Sequence, residues 1–289
     1  GPGTCLHQVL QHVHWDDPAD ETARQRTATH NRETVERLLQ AHGLDQPGRP
    51  HRAPIRPAEE VLALLERVAA APLFASPDGA PRRMADADHL KAEWSFAFPL
   101  GRVAPAALAE VFREHGTEPF GAEYARALAR LSDKAVDGLM VGEIDVVARV
   151  DGRWWVADWK FNRLGSDASA YAPDALQSTM LGHHYGLQLH LYTLGLHRFL
   201  RSRLGEAYAY EAHIGGATYA FLRGMEGNAI GDEGHASHAL AEPTGASEVT
   251  ASPAGPSPQS PVPSPQSLFT HRPSAALIDA LDRLLSPDA

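Results

Sequence analysis

The dipeptide Asp151-Gly152 constrains this chain more than any other feature. It lies between two β-branched and apolar runs, Leu139–Val150 and Arg153–Phe161. Two strand-like runs joined by Asp-Gly predict a tight hairpin, because the favoured two-residue turn needs positive φ at both loop positions. If Asp151 and Gly152 form the whole loop, Val150 pairs with Arg153, and counting back sets Asp145 opposite Asp158 on one face of the ladder. Directly opposed Cβ atoms are about 5 Å apart. Two ionised carboxylates at that separation repel, so one is held protonated or a cation lies between them. Carboxylate oxygens suit Mg²⁺, with Mn²⁺ as the alternative.

Lys160 is two residues beyond Asp158 and projects from the same face. The chain has 23 Arg and only 3 Lys, so a lysine here asks for a reason. A compact ammonium can orient a water and tune its proton affinity, a task for which guanidinium is a poor substitute. Asp145, Asp158 and Lys160 together suggest metal-assisted attack of water on a phosphate. The same register sets Glu143 facing Lys160 as an ordinary cross-strand ion pair. All of this requires an unshifted turn, since a bulge would break the pairing; without it the three side chains are a solvated strand face.

Helical spacing of apolar residues predicts helices over Thr4–His14, Arg32–Leu39, Ala58–Ala70, Pro105–His115 and Ala122–Leu131. Alternation predicts strands over Glu93–Leu100 and Ala217–Leu222. Ala175–Arg203 reads as one long helix or two consecutive ones. Ser274 is positioned to cap a last helix carrying Leu277, Leu281 and Leu284. Gln188 and Tyr192, four residues apart on the long helix, share a face. Gln can bond a phosphate or a base and Tyr can stack, although spacing alone favours core packing for Tyr192. His183 and His184 are adjacent on a helix and point apart, so they do not make a metal pair. His12 and His14 are set aside in the same way.

The chain of 289 residues has a hydrophobic fraction of 43% and a net charge of −10. That charge argues against a general nucleic-acid coat protein, whereas an enzyme whose carboxylates hold metal tolerates it. A single cysteine, Cys5, excludes an internal disulfide and any cysteine-based metal cluster within the chain. No apolar run is long enough to span a membrane, and a cytoplasmic location is expected. No Gly-x-x-x-x-Gly-Lys-Ser/Thr loop is present, so no ATP site is expected. From about Gly227 to Gln266 Pro, Ser, Gly and Ala dominate, which predicts a disordered low-complexity insertion. The expected organisation is residues 1–226 and 267–289 as one domain, interrupted by 227–266.

Taken together, Gly142-Glu143-Ile144-Asp145, Asp158-Trp159-Lys160 and Gln188-Leu189-His190-Leu191-Tyr192 resemble the RecB-like branch of the PD-(D/E)XK nuclease superfamily. Gly3-Thr4-Cys5-Leu6-His7 is similar to that branch's helical histidine motif. Asp158 stands where Glu is common elsewhere, a substitution the superfamily pattern permits. The resemblance implies an α/β fold, a mixed central sheet flanked by helices, with the hairpin at the active site. It implies His7, Asp145, Asp158 and the backbone carbonyl of Trp159 as metal ligands, and Lys160 as the residue that positions or activates water. Gln188 and Tyr192 would support the site or contact the DNA strand. It further implies Mg²⁺-dependent phosphodiester hydrolysis on DNA, mainly single-stranded, with RecC and RecD as partner subunits and a docking surface for the RecA recombinase. The alternative is a catalytically silent module that keeps the fold and docks a partner. The intact set of His7, Asp145, Asp158 and Lys160 speaks against it.

Overall fold

The computed structural model describes residues 1–45, 58–131, 134–225 and 267–287. In chain order, α1 (Pro2–His12), α2 (Glu21–Ala41) and α3 (Ala58–Ala70) precede a small ribbon of β1 (Phe74–Ala75) and β2 (Pro81–Arg82). β3 (His89–Val103) leads into α4 (Pro105–His115) and α5 (Ala122–Leu128). The hairpin follows as β4 (Val136–Val150) and β5 (Arg153–Lys160). Then come α6 (Pro173–Gly182), α7 (Tyr185–Leu204), α8 (Tyr210–His213), β6 (Ile214–Phe221), α9 (Leu222–Met225), β7 (Leu268–His271) and α10 (Ala275–Leu284). The low-complexity stretch expected over 227–266 lies outside the described residues.

The hairpin forms in the expected register. Asp151 and Gly152 have φ of 46° and 81°, and pairing runs from Val150↔Arg153 to Val146↔Ala157. Around it the sheet has the order β3-β4-β5-β6-β7, with β5 and β6 parallel and the other neighbours antiparallel. The parallel pair follows from the helical crossover between them. The sheet is therefore mixed and, apart from the exposed N-terminal half of β4, covered on both faces, an α/β architecture as expected.

Alternation along β5 divides the core. Val156 joins Phe112, Leu176, Leu189 and Leu281 under α4, α6, α7 and α10. Trp155, Ala157 and Trp159 join Val9, Val35 and Leu64 under α1, α2 and α3. Asp158 and Lys160 share the parity of Val156, so they point toward α7.

Two elements, α2 and β3, depart from the sequence expectation. α2 begins at Glu21, capped by the Asp20 carboxylate on Ala23 N–H, eleven residues before the expected start at Arg32. Its first turns are polar and exposed, so they carry no apolar period to detect. Of the two readings open for Ala175–Arg203, two consecutive helices form, α6 and α7, separated where His184 takes a left-handed φ of 57°. Just beyond the break Gly186 lies under Phe120, whose ring would collide with any Cβ there. β3 is longer than expected and contains Glu93 at φ 47°. The Ser274 cap forms as expected, its hydroxyl accepting from Leu277 N–H at 3.1 Å. No helix among the described residues is long and apolar enough to cross a membrane.

His190 on α7 is fully buried, its ring 4.9 Å from Phe112 and 5.1 Å from Phe120, with His271 of β7 at 5.7 Å. Burial lowers the pKa of His190 to about 3 and that of His271 to about 4. Both are neutral in the fold, while the unfolded chain takes up their protons below about pH 6.5. The stability they allow is complete above that pH and lost as pH falls toward 4. At about 1.4 kcal/mol per pKa unit, the two together cost roughly 5 kcal/mol by pH 4.5. Urea unfolding at stepped pH is expected to show this loss, and His190→Phe is expected to remove about half of it.

Candidate active site

The site is built where β4 leaves β5. The ladder stops at Val146↔Ala157. One residue further the carboxylate of Asp145 replaces the main chain as partner, accepting from Trp159 N–H at 2.7 Å. The phase of β4 changes at the same place, since Ile144 and Val147 lie in the α7-side core and Val146 in the α1-side core. Glu93 interrupts β3 between the pairs Ala92↔Val146 and Trp94↔Ile144, opposite Asp145. Positive φ in a non-glycine residue is uncommon and costs roughly 1–3 kcal/mol. This irregularity turns Asp145 into the gap between the strands.

Asp158 is buried, and Lys160 lies beside it with Nζ 2.7 Å from Oδ2. No donor is aligned on that oxygen for a hydrogen bond. Burial pushes the Asp158 carboxyl above the usual carboxylate range, the Lys160 charge opposes this, and neighbouring Asp145 adds to it. The repulsion expected from the hairpin register is therefore present, although desolvation outweighs it. Lys160 donates to Gln188 Oε1 at 2.9 Å, and Gln188 Nε2 donates to Tyr192 Oη at 2.8 Å. Tyr192 also packs edge-on to Phe96, so it serves the core and the polar chain together. Burial, followed by the Asp158 charge, lifts its hydroxyl to about 12.

His7 on α1 enters from the opposite face of the sheet. Its Nδ1 is 3.5 Å from Asp145 Oδ1 and its ring lies against Phe161. The hydrogen bond with Asp145 raises its pKa, against the effect of burial. Glu143 does not face Lys160. β4 has already diverged there, and the Glu143 carboxylate accepts from Ser95 at 3.3 Å. Among the described residues no three His, Cys, Asp or Glu side chains close into a ready-made cage. His7, Asp145 and Asp158 converge pairwise instead. Their chemistry nonetheless fits a hard divalent cation: two carboxylates, one of them buried, and one imidazole.

Five nearby residues, Tyr185, Tyr219, Asn162, Glu93 and Gln11, had no role in the sequence reading. The Lys160 ammonium lies 4.1 Å over the Tyr185 ring and 5.0 Å from that of Tyr219. Tyr219 also donates to Gln188 Oε1 at 3.2 Å, and Tyr185 to Asn162 Oδ1 at 3.1 Å. Glu93 accepts from Gln11 Nε2 at 2.9 Å, and Gln11 is one helical turn beyond His7. Glu93 thus ties the helix that carries His7 to the strand opposite Asp145. Tyr185 could have been found by its spacing before Gln188. Glu93 and Tyr219 lie on other strands and carry no local signal.

With this geometry in place, comparison with known proteins is decisive about kinship. A family model described as the PD-(D/E)XK nuclease superfamily matches residues 2–252. The chain belongs to that superfamily. It is similar to the RecBCD enzyme subunit RecB of Escherichia coli (strain K12), 50% identical over 91 residues, which is 32% of this chain and 8% of that protein. The RecB subunit of Mycobacterium tuberculosis (strain H37Rv) is 36% identical over 218 residues, 71% of this chain and 17% of the relative. That of Mycolicibacterium smegmatis is 29% identical over 304 residues, 99% of this chain and 24% of the relative. The chain thus spans a quarter or less of the length of these superfamily relatives.

Glu93→Gly tests the strained strand position. It is expected to relieve the positive-φ cost, changing stability by no more than about 1 kcal/mol in either direction. It is also expected to free α1, seen as faster amide exchange around Gln11. A loss of several kcal/mol would mean that the Glu93 backbone is not strained.

Proposed function

We propose that this chain is a Mg²⁺-dependent DNA nuclease domain, cutting single strands at DNA ends within a RecBCD-type helicase-nuclease that serves double-strand-break repair and recombination. The observation that carries the proposal is the convergence of Asp145, Asp158 and Lys160 at the point where β4 and β5 part, backed by the Gln188–Tyr192 chain. His7, Asp145, Asp158 and the Trp159 carbonyl would hold Mg²⁺, or Mn²⁺ in its place. When bound, the cation supplies charge neutralisation at the phosphate and activates water for attack.

The chain's own residues supply positioning. Lys160 is fixed by Gln188, Asp158 and two tyrosine rings, and its ammonium orients the attacking water toward phosphorus. As the water oxygen bonds to phosphorus it gives up a proton to solvent, the P–O bond to the leaving sugar breaks with its electron pair, and the departing alkoxide takes a proton from solvent. Gln188 and Tyr192 hold Lys160 in place and offer polar contacts to the strand. Partners in this reading are DNA, the RecC and RecD subunits, and the RecA recombinase, with the cytoplasm as the location. The helicase motor would lie outside these residues, which contain no phosphate-binding loop.

Cleavage of end-labelled single-stranded DNA tests the proposal. Mg²⁺ is expected to support cutting, EDTA to abolish it, and Asp158→Ala and Lys160→Ala each to lower the rate at least about 100-fold. Lys160→Arg is expected to rescue little, because the space between Tyr185 and Tyr219 fits a compact ammonium. If the wild type neither cuts DNA nor binds Mg²⁺ by calorimetry, the docking-module alternative stands in its place.

A further inference from the structure

β4 is longer than β5. Beyond Val146 toward its N-terminus it keeps β3 on one side, and among the described residues no strand pairs with its other side from Val136 to Ile144. That stretch is an open sheet edge leading directly to Asp145. One of its faces is also left uncovered by the described residues. Met140, Gly142 and Ile144 turn toward the α7-side core, where Phe96 lies over Gly142. The alternate residues Asp137, Leu139, Val141 and Glu143 turn outward, level with the exposed Ser95, Ala97 and Pro99 of β3. Leu139 and Val141 are each 65% exposed and Val136 is 56% exposed. Of the five large apolar side chains exposed among the described residues, four fall between Leu131 and Val141.

An unpaired edge beside an apolar strip is a template for strand addition, and proteins seldom leave one bare. From these features we infer that Val136–Ile144 is a docking edge for an extended polypeptide segment lying outside these 289 residues. That segment adds as a strand, with apolar side chains over Leu139 and Val141 and a basic residue near Asp137 or Glu143. Charge decides between protein and nucleic acid. Val136–Ile144 carries Asp137 and Glu143 and no Lys or Arg, so a phosphate backbone is repelled where a basic peptide is attracted. Chain length points the same way, because the relatives reported above carry three quarters or more of their sequence elsewhere. The inference rests on the fold and stands or falls separately from the nuclease reading.

Amide hydrogen exchange over Val136–Ile144 tests it. The 289-residue chain alone is compared with the complete gene product in its native assembly, with the chain plus a single-stranded 20-mer, and with the chain over a concentration series. The expected result is fast exchange in the chain alone and slowing of about tenfold or more in the native assembly only. A Leu139→Glu, Val141→Glu double variant is expected to lose that slowing in the assembly while keeping its own circular dichroism and unfolding midpoint. Equal exchange in chain and assembly overturns the inference. So does protection produced by the oligonucleotide, which would make the edge a DNA surface, or by concentration alone, which would make it a contact between copies of the chain.

Discussion

One hydrogen bond organises the site: the Trp159 peptide N–H donated to the Asp145 carboxylate. Regular pairing ends at Val146↔Ala157, and from there β4 departs with its side-chain phase changed. A fully regular ladder would satisfy the Trp159 N–H from main chain and leave no gap. Because a side chain satisfies it, the strands separate while the buried donor keeps its partner. His7 can then enter from one face, and Asp158 and Lys160 line the other.

The tyrosine and glutamine wall around Lys160 serves fold and chemistry together. Tyr219 is fully buried on the interior strand β6, Tyr192 packs on Phe96, and both bond Gln188. A lysine brought this far inside loses hydration and needs acceptors and aromatic faces in return. Asp158, Gln188, Tyr185 and Tyr219 provide them. The price is local rigidity, which suits a group whose task is to hold one atom in one place.

The hairpin, its register and the Ser274 cap were legible in the sequence because each is local: a turn type, a period of two, a side chain reaching three residues ahead. The start of α2 was not legible, since its first turns face water and show no apolar repeat. The sequence left open whether α6 and α7 are one helix or two, and the left-handed turn at His184 decides for two. The expected Glu143–Lys160 pair failed for one reason. Local counting extended the ladder past the point where Asp145 ends it.

By itself the sequence determined which chemistry the chain can carry and on which strands. Asp145, Asp158 and Lys160 are bound to the hairpin by turn chemistry, and Gln188 and Tyr192 share a helix face by period alone. Kinship with the PD-(D/E)XK superfamily followed from the same residues. Only the tertiary structure decided that Lys160 lies between two tyrosine rings, that Glu93 braces α1 from the far strand, and that an apolar edge of β4 has no strand beside it among the described residues. These depend on contacts between elements distant in sequence, where sheet pairing and burial, rather than local periodicity, set the geometry.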